Sequence, residues 1–343
     1  MIIIHTDRHR LRDAKTELHG GQLVRPFECP ERVDHILGRI AETGLGTPEA
    51  PQEHPMSRIA AVHDANYLAF LQRAWGDWVA AGNAGEAMPT VWPSRRMPRT
   101  VIPSDIEGQL GWYALAGETA ISPGTWEAAR AAADVALTAA DRVAGGAPGA
   151  FALCRPPGHH AAQDMYGGYC FLNNAAIAAQ ALRESGAERV AVLDVDFHHG
   201  NGTQAIFYDR QDVFFASLHG DPAEAFPHFL GGAEETGWGA GKGANANFPL
   251  PRGTGWPAWS AALEAALARI AGHGAEALVV SLGVDTFKED PISFFTLDSP
   301  DFIAMGRAIA AASLPTVFVM EGGYAVAEIG VNTVNVLAGF EGA

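Results

Sequence analysis

The second half of the chain alternates short apolar runs with stretches of helical periodicity. Ala150 to Cys154, Val190 to Val195, Val213 to Leu218, Ala277 to Leu282 and Thr316 to Met320 are rich in Val, Leu, Phe or Ala. Continuous apolar runs of this length suit strands covered on both faces, as in a parallel sheet. Leu172 to Glu184, Pro257 to Ala271, Pro300 to Ala312 and Ala327 to Leu337 read as helices. Pro257 and Pro300 fit a first helical turn, where a missing N–H costs nothing, and Ser299 is a candidate N-cap. This alternation predicts an α/β fold with a doubly wound, mostly parallel sheet. Met1 to Asp7 reads as a further strand. No linker or internal repeat divides the chain, so one domain over 1–343 is expected.

One stretch breaks the rhythm. From about 81 to 125 the chain carries Gly, Pro and Trp without a clean period. Trp75, Trp78, Trp92, Trp112 and Trp126 lie in and around it, five of the 8 tryptophans. It is either an excursion packed back on the domain or a lid or subunit interface, where Trp is enriched.

Composition narrows the partners. Lys+Arg number 23 against 39 Asp+Glu, a net charge of −16, which disfavours nucleic acid and anionic membrane and favours cationic ligands. Hydrophobic residues at 48% against 18% charged supply a substantial core and exclude wholesale disorder. Cys29, Cys154 and Cys170 are too few and scattered for a disulfide framework or a cysteine zinc site, which fits a reducing compartment. The N-terminus lacks a signal-peptide pattern, and no apolar window of about 18 residues predicts a membrane span. A cytoplasmic protein is expected.

The chemistry gathers where predicted strands end. Arg155-Pro156-Pro157-Gly158-His159-His160 follows the first run and Asp194-Val195-Asp196-Phe197-His198-His199-Gly200-Asn201 ends the second. Ser281-Leu282-Gly283-Val284-Asp285 ends the fourth and Glu321-Gly322-Gly323-Tyr324 follows the fifth. Open α/β sheets bind ligands at the carboxyl ends of their strands. Alternation puts Asp194, Asp196 and His198 on one face. Burying two carboxylates and an imidazole is costly unless a cation compensates. Asp196 and His198, with Asp285 from another strand end, make a three-ligand site with an open position, suited to Zn²⁺ or Fe²⁺. A salt-bridged or capping cluster is the alternative. Beside a metal, one imidazole of the His pair can act as general base. Tyr324 can donate to a developing oxyanion, or be an ordinary turn aromatic.

These four motifs, in this order and spacing, resemble the zinc-dependent histone deacetylase superfamily over nearly the whole chain. Within it the chain is most similar to the acetylpolyamine amidohydrolases, through Ala14 to Leu18, Asp105 to Gln109 and Glu118 to Trp126. The resemblance implies an arginase/deacetylase-like fold with Zn²⁺ on Asp196, His198 and Asp285. It makes His160 the general base, His159 its partner held by Asp194, and Tyr324 the group that polarises the amide carbonyl. Asn201 stands behind His160 where many histone deacetylases have Asp. An amide stabilises an imidazolium less than a carboxylate does, so a readily neutral His160 is expected. Gly168, Tyr169 and Phe226 would line a narrow tunnel, and Asp194 with Ser217 matches a structural K⁺ site. The irregular stretch would build a homodimer interface and narrow the cleft, leaving small cationic acetylated amines as substrates. Glu17, Glu107 and Glu118 are the candidate carboxylates for their ammonium groups.

Other readings share parts of this pattern. A protein lysine deacetylase has the same catalytic set and differs in cleft access. A ureohydrolase of arginase type needs more carboxylates, for two Mn²⁺. A non-catalytic binder of acetylated cations would not need the base and Tyr324. Two weaker motifs, Gly253-x-Gly255 and Gly241-Lys242-Gly243, lack the partners of a dinucleotide or phosphate loop.

Overall fold

A computed structural model describes residues 1–342. Ten strands form, β1 (Ile2–Ile4), β2 (Glu17–His19), β3 (Gln22–Val24), β4 (Pro48–Glu49), β5 (Gly149–Ala152), β6 (Val190–Asp194), β7 (Val213–Gly220), β8 (Asn245–Leu250), β9 (Ala277–Leu282) and β10 (Thr316–Met320). Eight of them make one sheet in the order β4-β1-β5-β10-β9-β6-β7-β8, with β2 and β3 a separate antiparallel pair. Every pairing in the large sheet is parallel. The fold is therefore the expected doubly wound α/β sheet.

Alternation along the strands builds two cores, one on each face. Ala150, Ala152, Val190, Val192, Val279, Val317 and Val319 point to one side, under α3 (Ala65–Ala80), α5 (Thr125–Ala144) and α6 (Asn174–Glu184). Phe151, Leu153, Ala191, Leu193, Val280, Phe318 and Met320 point to the other, under α1 (Glu31–Thr43), α8 (Trp256–His273), α9 (Ser299–Ala310) and α10 (Ile329–Glu341). The five apolar runs all became strands because each is buried on both faces. At α9 the expected cap moves by one residue: Asp298 caps, in a reciprocal capping box with Asp301, and Ser299 is already helical. A carboxylate that reaches back over the first turn outcompetes a serine one place later. Strand β8, with two Asn and Pro249, has no apolar run; it is an edge strand, where proline is tolerated.

The irregular stretch holds one helix, α4 (Ile106–Tyr113), entered through Asp105, whose side chain accepts from the Glu107 N–H. (The remaining helices, α2 at Met56–Ala60 and α7 at Asn201–Phe207, are short.) Trp75 and Trp78 lie on α3 and Trp126 on α5, flanking the excursion. Among the described residues no helix is long and apolar enough to cross a membrane. The three cysteines are free.

Below the carboxyl edge of the sheet lies a buried ionic cluster. Glu28, fully enclosed, accepts from Arg12 (2.9 Å), Arg155 (2.7 and 3.2 Å) and Arg32 (3.3 Å). Arg32 also donates to the carbonyls of Glu321 (2.5 Å) and Gly323 (2.7 Å), and Arg155 to those of His9 and Arg12 (2.7 and 2.8 Å). Glu28 thus braces the loop that ends in Tyr324. Burial opposes its charge, but Arg155, Arg12 and Arg32 outweigh burial and bring its pKa down from 4.5 to about 2. A depressed carboxylate contributes stability that is present above its unfolded pKa and is lost as pH falls toward the folded one. The shift corresponds to about 3 kcal/mol. The stability advantage over Glu28→Gln in urea unfolding should hold from pH 7 to about 4.5 and shrink below it. An advantage that does not change across that range would show that Glu28 is not charged in the fold.

Candidate active site

The four strand ends that carry the motifs, β5, β10, β9 and β6, are adjacent in the sheet. Their loops therefore meet over its centre. Asp196, His198 and Asp285 are all buried, and one ligand atom from each lies within 4.8 Å of the others. His198 Nδ1 is 3.2 Å from Asp196 Oδ1 and 3.1 Å from Asp285 Oδ2. The remaining carboxylate oxygens are oriented by the backbone: Asp285 Oδ1 accepts from the Phe197 N–H (2.7 Å) and Asp196 Oδ2 from the Gly322 N–H (2.8 Å). A Cβ at Gly283 would overlap Asp196, and one at Gly322 would overlap both carboxylates, so only glycine lets the backbone approach.

This donor set fits a divalent ion. Burial alone would suppress charge on all three groups. Burial and the neighbouring Asp196 push Asp285 up to about 7. Against burial, hydrogen bonds to Asp196 and Asp285 push His198 up to about 10. The cluster thus attracts one positive charge into a closed space with two hard ligands and one borderline one.

The two tandem histidines have opposite electrostatics. His159 Nδ1 donates to Asp194 Oδ2 (3.0 Å). Burial works against its charge, but Asp196 and Asp194 prevail and hold its pKa well above the usual value. His160 Nδ1 donates to Asn201 Oδ1 (2.7 Å), which leaves Nε2 as the accepting nitrogen. Burial first, then the positive His159 and His198, hold His160 well below the usual value. A neutral His160 was expected from Asn201; burial is the larger cause.

A cavity of about 340 Å³ opens above His160 and His198, and its wall includes Glu17, Glu118, Gly168, Tyr169, Phe226 and Tyr324. The Phe226 ring stands edge-on to His160 at 5.1 Å, and Tyr169 edge-on to Tyr324 at 5.5 Å. Glu17 Oε1 accepts from the Tyr169 hydroxyl (2.7 Å) and Oε2 from the Phe27 N–H (3.1 Å). Glu118 Oε1 accepts from the Gly168 N–H (2.7 Å) and the Thr119 hydroxyl (2.9 Å). Glu107 is not brought here: it is exposed on α4 and does not line the cavity. Asp194 and Ser217 pair in register on β6 and β7, both buried, and Ser217 Oγ lies 2.8 Å from His219 Nδ1.

Several organising residues were not singled out in the sequence. Glu321 Oε2 accepts from the Gly158 and His159 N–H groups (2.6 and 3.1 Å), and burial pushes its pKa up to about 8. Asp290 accepts from the Tyr324 N–H (2.7 Å) and fixes the entry to that residue. Leu18, His19, Gly20 and Ile292 complete the wall. Glu321 and Leu18 fall inside the motif segments but carried no role there, His19 follows on β2, and Gly20, Asp290 and Ile292 sit in loops without a pattern.

Gly168 has φ +55°, and a Cβ there would overlap the His160 ring. Gly168→Ala should therefore lower kcat about a hundredfold by displacing the His160 ring. Melting should fall by only about 1–2 °C, the response to about 1 kcal/mol in a chain of this size. Near-wild-type turnover would show that the ring is not confined there.

The family profile of the histone deacetylase domain matches residues 26–340. The chain is 61% identical over 343 residues to the acetylpolyamine amidohydrolase of Mycoplana ramosa, with 100% of each chain covered. It is 55% identical to acetylpolyamine amidohydrolase 2 of Pseudomonas aeruginosa, over 100% of this chain and 99% of that one. The crystal structure of an acetylpolyamine aminohydrolase from Burkholderia pseudomallei superposes with a TM-score of 0.94 at 39% identity, covering 99% and 98% of the two chains. The chain belongs to the histone deacetylase family, a family of metal-dependent deacetylases.

Proposed function

We propose that this protein is a zinc-dependent amidohydrolase that converts acetylpolyamines and related small acetylated amines to acetate and free amine. One observation carries the substrate class: Glu17 and Glu118 stand in the wall of the cavity that ends at His160 and His198. An acetylated polyamine places an amide at the bottom of such a cavity and an ammonium near its mouth. The names of the relatives at 61% and 55% identity support the same reading.

Asp196, His198 and Asp285 would hold Zn²⁺, with Fe²⁺ the alternative. When bound, the ion supplies a Lewis acid that polarises the amide carbonyl and acidifies water. His160 accepts the proton of the attacking water at Nε2 and returns it to the leaving amine. His159, a cation paired with Asp194, keeps the neighbouring His160 neutral and ready to accept. Tyr324 donates its hydroxyl to the oxyanion that develops from the carbonyl, and the Arg32 guanidinium over its ring at 4.9 Å fixes its orientation. Glu118 keeps Oε2 for the substrate ammonium.

Three companion readings go with this function. Asp194 and Ser217 would bind a structural K⁺. The exposed Val91, Trp92, Met97, Val101 and Ile102 of the insertion support a homodimer that meets there. The free cysteines favour a reducing compartment such as the cytoplasm.

Acetate release from acetylputrescine and acetylspermidine should greatly exceed release from an acetyl-lysine peptide, with Asp285→Asn as blank. Equal or faster release from the peptide would make the protein a lysine deacetylase. Tyr324→Phe should cost about a hundredfold or more in kcat; a small change would assign Tyr324 another role. Glu118→Gln should raise KM for acetylpolyamines about tenfold with less effect on kcat, and should leave a neutral acetamide substrate unaffected. An equal loss on both substrates would point to a structural role for Glu118.

A further inference from the structure

At the end of β1, away from the catalytic cavity, the chain runs His5-Thr6-Asp7-Arg8-His9 into a 3-10 turn (Asp7–Leu11). The side chains of His5, Asp7 and His9 converge, with one ligand atom from each within 4.8 Å of the others. His9 is 2% exposed and the His5 side chain 9%. None of the four ring nitrogens of this pair makes a hydrogen bond, though all are buried. His5 Nε2 stands 3.5 Å from Asp7 Oδ1, too far for a good one. Buried polar groups are nearly always satisfied by protein, water or an ion, so two adjacent buried imidazoles without a close partner beside a carboxylate point to a bound group.

We propose that His5, Asp7 and His9 form a second metal site, for a borderline divalent cation of the Zn²⁺ or Ni²⁺ class. Two imidazoles and one carboxylate favour such ions over Mg²⁺ or Ca²⁺, which take oxygen ligands. Burial keeps both histidines below their usual pKa, His9 at about 3, so each offers a free lone pair at neutral pH. Arg155 and Arg10 add to the lowering of His9, but each has a carboxylate partner: Arg10 pairs with Asp34, and Arg155 with Glu28. Asp7, 91% exposed, leaves the ion open to solvent on one side. The turn is also structurally connected, because the His9 and Arg12 carbonyls receive Arg155. A bound ion would tie the end of β1 to the turn that supports the Glu28 cluster.

The test uses untagged protein carrying its catalytic metal, titrated with Ni²⁺ and followed by calorimetry and elemental analysis after gel filtration. One Ni²⁺ per chain should be retained beyond the catalytic ion, with no loss of that ion. Removing a ligand should cost at least what removing its hydrogen-bond partner does, so His5→Gln and Asp7→Asn should each weaken uptake about tenfold or more. Both variants should release acetate at the wild-type rate. Ni²⁺ should raise the melting temperature of the wild type but not of His5→Gln. The proposal fails if the wild type retains no extra Ni²⁺, if uptake only displaces the catalytic ion, or if both variants bind Ni²⁺ as the wild type does.

Discussion

Two carboxylates, Asp196 and Asp285, and one imidazole, His198, face each other, buried at the bottom of the cavity. Removing charges from water costs several kcal/mol each, even after relaxation. Such a cluster persists only where its surroundings cannot collapse. The four central strands of the sheet provide that rigidity, since each is buried on both faces and its loop starts from a fixed point. The backbone does the rest: the Phe197, His198 and Gly322 N–H groups each hold a carboxylate oxygen, and Gly283 and Gly322 make room for the main chain to reach them.

The same constraint propagates outward. The loop carrying Gly322 and Tyr324 must stay close to Asp196, and the Arg32 guanidinium holds it there through two carbonyls. Arg32 is itself buried, so it needs Glu28, which Arg12 and Arg155 share. Charge is balanced in successive layers rather than within any single pair. The histidine pair shows how local this balance is. His159 and His160 have ring centroids 4.1 Å apart, yet Asp196 and Asp194 raise the pKa of one while burial, then His159 and His198, lower that of the other. One position therefore supplies charge and the next a free lone pair.

Much of this was legible in the sequence, for identifiable reasons. Strands β5, β6, β7, β9 and β10 could be read because parallel strands buried on both faces are continuous apolar runs. The cluster of Asp196, His198 and Asp285 could be read because carboxylates and an imidazole at the end of a buried run are costly to keep there without compensation. By contrast, β8 and the β2–β3 pair carry no such run, since one is an edge strand and the other lies outside the main sheet. The partners of Glu28 are far apart in sequence, at 12, 32 and 155, so no spacing announces the cluster. Glu107 and Glu118 looked alike in the sequence, both acidic residues in the irregular stretch. Only the fold separates them, because Glu118 is tied to Gly168 at the cavity wall while Glu107 faces outward on α4.

That tie links selectivity to catalysis. The Gly168 N–H donates to Glu118, and the same glycine packs so closely on His160 that no side chain fits between them. Its neighbour Tyr169 donates to Glu17 from the other side of the cavity. A three-residue loop, Gly167 to Tyr169, held at positive φ throughout, therefore sets the position of the base and of both wall carboxylates at once. On the proposed function, an ammonium bound at Glu118 would sit one hydrogen bond from the glycine that confines the His160 ring. The proposed recognition of a distal charge and the proposed alignment of the proton acceptor would thus share one short loop, and a substrate without that charge would leave one of its two roles unused.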